Sequence, residues 1–281
     1  MSIKNFKPTV WSVKLFQELD KNHVLVGLCN REYEGEITAY GDQVKINALG
    51  DIDIGNYQPN VTEISPQQLD GQQKVLEIDQ AKYFAFYIDD VDYAQTKPKL
   101  MNEAMRKSAY GLADAADQTI AGFYTDAATT ISGNVTLANV LTFLSNAALQ
   151  LDNRDVPSQG RWMVIPPWFR QKLTLNKVLE TDGSVDANEA YTNGYVGKAF
   201  GFDFYVSNNL STGGSTGAIG SHRALAGTSR AISFADQIVE TEAYRPEKSF
   251  SDAVKGLHVY GAKTIDSNAL ISIDVHTSSA T

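Results

Sequence analysis

One junction constrains this chain more than any other feature: a β-patterned, strongly acidic stretch over residues 31–95 runs into one long helical repeat at 97–126. Val44 and Ile46 alternate with Gln43, Lys45 and Asn47, the period of two that marks a half-buried strand. Ile52 and Ile54 alternate in the same way with Asp51, Asp53 and Gly55. Gly41-Asp42, Gly50-Asp51, Gly55-Asn56 and Gln58-Pro59-Asn60 punctuate the stretch as turns. Residues 75–88, rich in Val, Ile, Tyr and Phe, read as one strand. Beyond them Met101, Met105, Ala109, Leu112, Ala116, Ile120 and Phe123 step by three or four, a single helix. Pro98 sits near its start, where a missing N–H costs little. Thirty residues make a rod of roughly 45 Å. A long hairpin hung on such a spine reaches beyond its own domain, as in a chain built to hold neighbours.

The 281 residues suffice for one large domain or two lobes, and 43% apolar with 20% charged is ordinary globular composition. No uninterrupted apolar run approaches the roughly 18 residues of a membrane-crossing helix. The start, Met1 to Pro8, has neither the apolar run nor the cleavage site of a secretory signal. Cys29 is the single cysteine, so no internal disulfide exists. It follows Val24-Leu25-Val26-Gly27-Leu28, and a buried small hydrophobe is its expected role.

The net charge of −9 is unevenly spread. Residues 1–31 hold Lys4, Lys7, Lys14, Lys21 and Arg31 against Glu18 and Asp20. Residues 32–96 hold thirteen acids against Lys45, Lys74 and Lys82. A basic arm thus precedes an acidic β region, which fits an arm that docks on a neighbour's loop as well as it fits a solvated face. The acidic balance argues against tight binding of nucleic acid, which needs cations over phosphates.

The arm carries Trp11, Leu15 and Leu19 at i, i+4 and i+8. Residues 24–29 read as a short buried strand. After the spine, Leu137, Val140, Leu141, Leu144, Ala148 and Leu151 make an amphipathic helix. Residues 161–165 read as a strand stopped by Pro166-Pro167, 168–180 as a helix, and 200–207 and 223–228 as strands. Residues 211–221 form a Gly/Ser/Thr-rich loop, and 230–237 a turn or short helix. Strands at 238–244, 257–265 and 269–275 end the chain.

No catalytic, cofactor or metal motif emerges. His23, His222, His258 and His276 stand alone in sequence. Asp51-Ile52-Asp53 opens like a calcium loop, but Asn56 replaces its glycine and Thr62 its closing glutamate. Gly197-Lys198 lacks the first glycine of a phosphate loop, and Ala199 replaces its hydroxyl residue.

Several pieces in order resemble the major capsid (coat) proteins of tailed bacteriophages. They are Trp11-Ser12 with Leu15, Asn30-Arg31-Glu32-Tyr33-Glu34-Gly35, and Gly41-Asp42 with Val44 and Ile46. Ile78-Asp79-Gln80, Tyr83-Phe84, Phe86, Ile88-Asp89-Asp90-Val91-Asp92 and Ala94-Gln95 follow. Tyr244-Arg245 and Phe250, Asp252 to Leu257 and Tyr260 to Lys263 complete the series. The resemblance implies the α+β tailed-phage capsid fold, shared with encapsulins and herpesvirus shell floors. It implies an N-terminal arm at 1–31, an extended β-hairpin loop at 32–75, a peripheral domain at 76–133 and 231–281 with its spine helix at 97–126, and an axial domain at 134–230. It implies a virion protein, assembled in the bacterial host cytoplasm, that forms hexamers and pentamers and closes into an icosahedral shell around double-stranded DNA without sequence-specific binding. Its expected partners are itself, a scaffolding protein, a portal protein and, in some phages, decoration proteins. The chain opens at the arm with Met1, so the scaffold is expected to be a separate protein. Neither catalysis nor a cofactor is expected. Trp11, Leu15, Leu19, Arg31, Glu34, Asp42 and Lys45 are the expected intersubunit contacts. An encapsulin-type compartment shell is the nearest alternative, and a soluble α/β hydrolase or binding protein a remote one.

Overall fold

The computed structural model describes residues 24–33, 41–49, 54, 56, 58, 59, 71–89, 99–176, 195–213, 221–246 and 251–276. Among them are eleven strands in three sheets and three α-helices. β1 (Gln43–Leu49) and β2 (Gly71–Glu77) form an antiparallel pair of their own, in register from Gln43 opposite Glu77 to Leu49 opposite Gly71. β3 (Gln80–Asp89), β10 (Ser251–Thr264) and β9 (Ile232–Tyr244) form an antiparallel sheet in that spatial order. α1 (Lys99–Ala121) covers one face of it. Met105, Ala109, Leu112 and Ala113 pack there against Phe84, Phe86 and Val254.

The third sheet is mixed and has six strands, in the order β4 (Thr129–Asn134), β11 (Leu270–His276), β8 (His222–Thr228), β5 (Arg161–Ile165), β7 (Phe202–Val206) and β6 (Tyr195–Ala199). β5 is buried at every position, the signature of a strand covered on both faces. Met163 and Ile165 face α2 (Val140–Asp152) and α3 (Pro167–Leu175). Trp162 and Val164 face a second core, shared with Leu25, Ile120, Phe234 and Tyr260. That second core joins the six-stranded sheet to the end of α1 and to the three-stranded sheet. Of the apolar face expected for α2, Val140, Leu144 and Leu151 are buried and Ala147 joins them, while Leu137 and Leu141 turn outward. Pro167 opens α3 at the position where proline is tolerated.

Several sequence expectations need correction. Residues 26–28 are a 3-10 turn, not part of a strand, because a carboxylate on α1 gathers the N–H groups at its start. The strand expected over 75–88 is two strands in different sheets. Between them Ile78 turns its backbone to residues 41 and 42, donating to the Asp42 carbonyl at 3.1 Å and accepting from the Gly41 N–H at 3.0 Å. The turn or short helix expected over 230–237 is the start of β9. Its residues Ile232 to Asp236 are buried along β10, and tertiary pairing overrides the weak local signal of Ala, Ser and Asp. The spine helix is shorter than its pattern, ending at Ala121 and tightening into a 3-10 turn at Gly122–Asp126. Its 23 residues span roughly 35 Å.

Candidate intersubunit elements

The root of the N-terminal segment is held by a buried carboxylate. Asp117, on the inner face of α1, is 1% exposed. Its Oδ2 accepts from the Val24 N–H at 3.0 Å, and its Oδ1 from the N–H groups of Leu25 and Val26, both at 3.1 Å. The turn at Val26–Leu28 therefore receives its cap from a helix more than ninety residues away. Burial pushes the Asp117 carboxyl up to about 6, with the three N–H groups pulling the other way and Asp114 adding to the rise. Leu25 and Val26 complete the anchor by packing with Ala116 and Ile120. Cys29 is buried, donates from Sγ to the Leu25 carbonyl at 3.3 Å, and has its thiol pushed far up by desolvation.

The same segment is fastened again at its far end. The Asn30 N–H donates to the Ile232 carbonyl at 2.9 Å, and the Phe234 N–H donates to the Asn30 carbonyl at 2.9 Å. The Arg31 guanidinium reaches the buried Asp236 at 3.3 Å. Asp236 lies in turn 3.5 Å from Nε2 of His258, which is fully buried. The chain between Val24 and Arg31 is thus pinned at both ends by acids of the body, Asp117 and Asp236. Neither acid belongs to a local motif; each is brought in by a distant element.

The hairpin stands on an apolar foot. Val44 and Ile46 of β1 with Leu76 and Ile78 pack on Ala235 and Val259. Gly261 permits this closeness: a Cβ there would lie 2.2 Å from the Glu77 carbonyl oxygen. Lys45 points from the other face of β1 and is exposed. Asp42 sits at the foot, its carbonyl taking the Ile78 N–H. An open, mostly polar trough of about 910 Å³ runs beside β2, lined by Gln73, Glu77, Thr119, Phe123 and Lys263 among others. The face of the three-stranded sheet away from α1 leaves Tyr83 and Tyr87 mostly exposed.

Of the seven contact residues expected from sequence, Trp11, Leu15, Leu19 and Glu34 lie outside the described residues. Arg31, Asp42 and Lys45 are described, and they fall at two places, the segment at 24–31 and the foot of the β1–β2 pair. Arg31 engages an acid of its own chain. Asp117 and Asp236 went unnoticed in the sequence, and His258 was set aside as a lone histidine, because isolated ionisable residues on a helix or strand carry no local signal. Among the described residues no group of three or more His, Cys, Asp or Glu side chains is arranged to hold a metal ion.

The chain matches the family model described as "Phage capsid protein" over residues 72–273. Among solved structures it is similar to that of Mycobacterium phage Che8, at 27% identity and a TM-score of 0.71, covering 89% of this chain and 90% of that one. It is also similar to the capsid structure of the Cyanophage P-SCSP1u, at 19% identity and a TM-score of 0.67, covering 94% of this chain and 88% of that one. A virus-like particle from Pyrococcus furiosus matches at 12% identity and a TM-score of 0.61, with 95% and 98% covered. The last two, at these identities, show a common fold. No curated protein matches the chain.

Proposed function

The chain belongs to the phage capsid protein family, and from that premise we propose that its copies assemble through hexamers and pentamers into an icosahedral shell around double-stranded DNA. It is a structural protein of the virion, not an enzyme, and many copies build the capsid. In this reading residues 1–31 are the arm, 32–75 the extended loop, 76–133 with 231–281 the peripheral domain and 134–230 the axial domain. A scaffolding protein and a portal guide closure in the host cytoplasm, with decoration proteins in some phages. Arm and loop clasp adjoining copies through Trp11, Leu15, Leu19, Arg31, Glu34, Asp42 and Lys45. Each such contact is weak alone and gains from effective concentration once its neighbours are in place.

The observation that carries this reading is the β1–β2 hairpin, a sheet of its own joined to the body through a small apolar foot. An isolated two-stranded ribbon is marginal in water, so support from an adjoining subunit gives it a physical reason to exist. Electron microscopy of the protein expressed with its scaffold tests the reading. Closed hollow shells tens of nanometres across are expected; a small monodisperse particle under every assembly condition overturns it.

A further inference from the structure

α2 is a surface helix that lacks a surface helix's charges. From Ala127 to Leu151 the sequence holds no Asp, Glu, Lys, Arg or His, in a chain that is 20% charged. The inner face of α2 is buried on the six-stranded sheet. Its outer face presents Leu141 and Leu149, 39% and 52% exposed, with Leu137 one turn ahead at 49%. The Asn176 side-chain amide donates to the Leu137 carbonyl at 2.8 Å, which brings the neighbouring Leu175, 64% exposed, to the same place. Solvated helix faces normally carry charge. Depletion of charge around exposed apolar side chains is the composition of an interface centre.

At the other edge of the same sheet is a second anomaly. The turn between β6 and β7 holds Phe200 at φ 52°, followed by Gly201 at φ 79°. A bulky side chain in the left-handed region is strained. Phe200 is nevertheless 45% exposed, so burial within its own chain offsets that strain only in part. β6 is one end strand of the sheet and β4 the other, and α2 packs beside β4. Five strand spacings separate those ends, roughly 24 Å, which sets the Phe200 turn apart from β4 and the α2 helix beside it.

We propose that the Phe200 turn of one copy seats on the Leu137–Leu141–Leu175 patch of the next, head to tail. This deepens the shell-building reading and rests on it. The areas favour a second copy within a ring. The leucines expose on the order of a few hundred Å², well short of the roughly 800 Å² per partner of a stable pair. A contact that small holds only when several act together. Knob and socket could satisfy a two-fold only across one continuous face roughly 24 Å wide, larger than the apolar area exposed at either. They make a heterologous contact, which generates rings.

The test pairs Phe200→Cys with Leu141→Cys in the full chain, assembled into particles and treated with a short bis-maleimide. Cys29 gives little background, being buried with its thiol hydrogen-bonded. A denaturing gel is expected to show a ladder of chain multiples that requires both cysteines. Assembled double-variant particles that stay monomeric on the gel overturn the proposal, and so do dimers from either single variant. Should the double variant fail to assemble, Phe200→Gly decides. Glycine relieves the strained φ, so the dissociated subunit should melt at the same or a higher temperature, while shell yield falls at least about tenfold. Wild-type shell yield from Phe200→Gly overturns the contact. Failure of the wild-type chain to form shells under any condition would instead overturn the shell reading itself.

Discussion

Asp117 shows how one side chain can set the course of a whole segment. It lies between Ala116 and Gln118 in an otherwise ordinary helix, yet takes the three N–H groups of Val24, Leu25 and Val26. Its carboxyl rises from 3.8 to about 6 because burial outweighs those three hydrogen bonds. A carboxyl with a folded value above its unfolded one favours the folded state in its protonated form. That contribution is present below about pH 4 and is lost as pH rises through about 6. A shift of this size corresponds to about 3 kcal/mol. Asp117→Asn keeps an acceptor for Leu25 and Val26 but cannot ionise. Thermal melts of the dissociated subunit should show that this variant lacks the part of the wild-type decline between pH 4 and 6 that Asp117 causes. Asp117→Ala leaves three buried N–H groups unpaired and should cost at least about 3 kcal/mol at any pH. Parallel pH profiles for wild type and Asp117→Asn would remove the titration from Asp117.

At the scale of elements, the hairpin depends on a close approach that only glycine allows. The Gly261 position on β10 lies against the backbone at Glu77, where β2 ends, and a Cβ would meet its carbonyl oxygen. Gly256 does the same for the Phe84 ring between β10 and β3. The two obstacles differ in kind. A ring can rotate, whereas the Glu77 carbonyl moves only with the strand. Gly261→Ala should therefore displace the foot formed by Val44, Ile46, Leu76 and Ile78 and cost about 1–3 kcal/mol. Hydrogen exchange in β1 and β2 is the sensitive measurement, with protection expected to drop there before the six-stranded sheet is affected. Unchanged protection across β1 and β2 would show that the foot tolerates the extra carbon.

For the whole molecule, the charge layout matters more than its sum. The first 31 residues are basic and the next 65 strongly acidic. If arms dock on neighbouring loops, replacing Lys4, Lys7 and Lys14 with Gln should weaken assembly and flatten its dependence on salt, since screened attractions are being removed. Light scattering across a salt series measures both effects. An unchanged salt response would assign those lysines to solvent. In the proposed reading the same acidic balance suits a container, because a wall poor in cations would not grip enclosed nucleic acid.

Periodic elements were legible in the sequence alone. α1, α2, β7 and the β1 strand announced themselves through apolar spacing, since burial on one face imposes that spacing on any chain, and β5 through an apolar run stopped by Pro166-Pro167. The collinear motifs carried the fold family. The division of residues 75–88 between two sheets was not legible, because a strand's local pattern is silent on which partner takes its edges. Nor was the first half of β9, whose Ala, Ser and Asp become strand only beside β10. Asp117 and Asp236 stayed invisible for the same reason. A lone acid acquires its meaning from the N–H groups or guanidinium that a remote segment brings within 3 Å or so, and only the folded chain supplies that proximity.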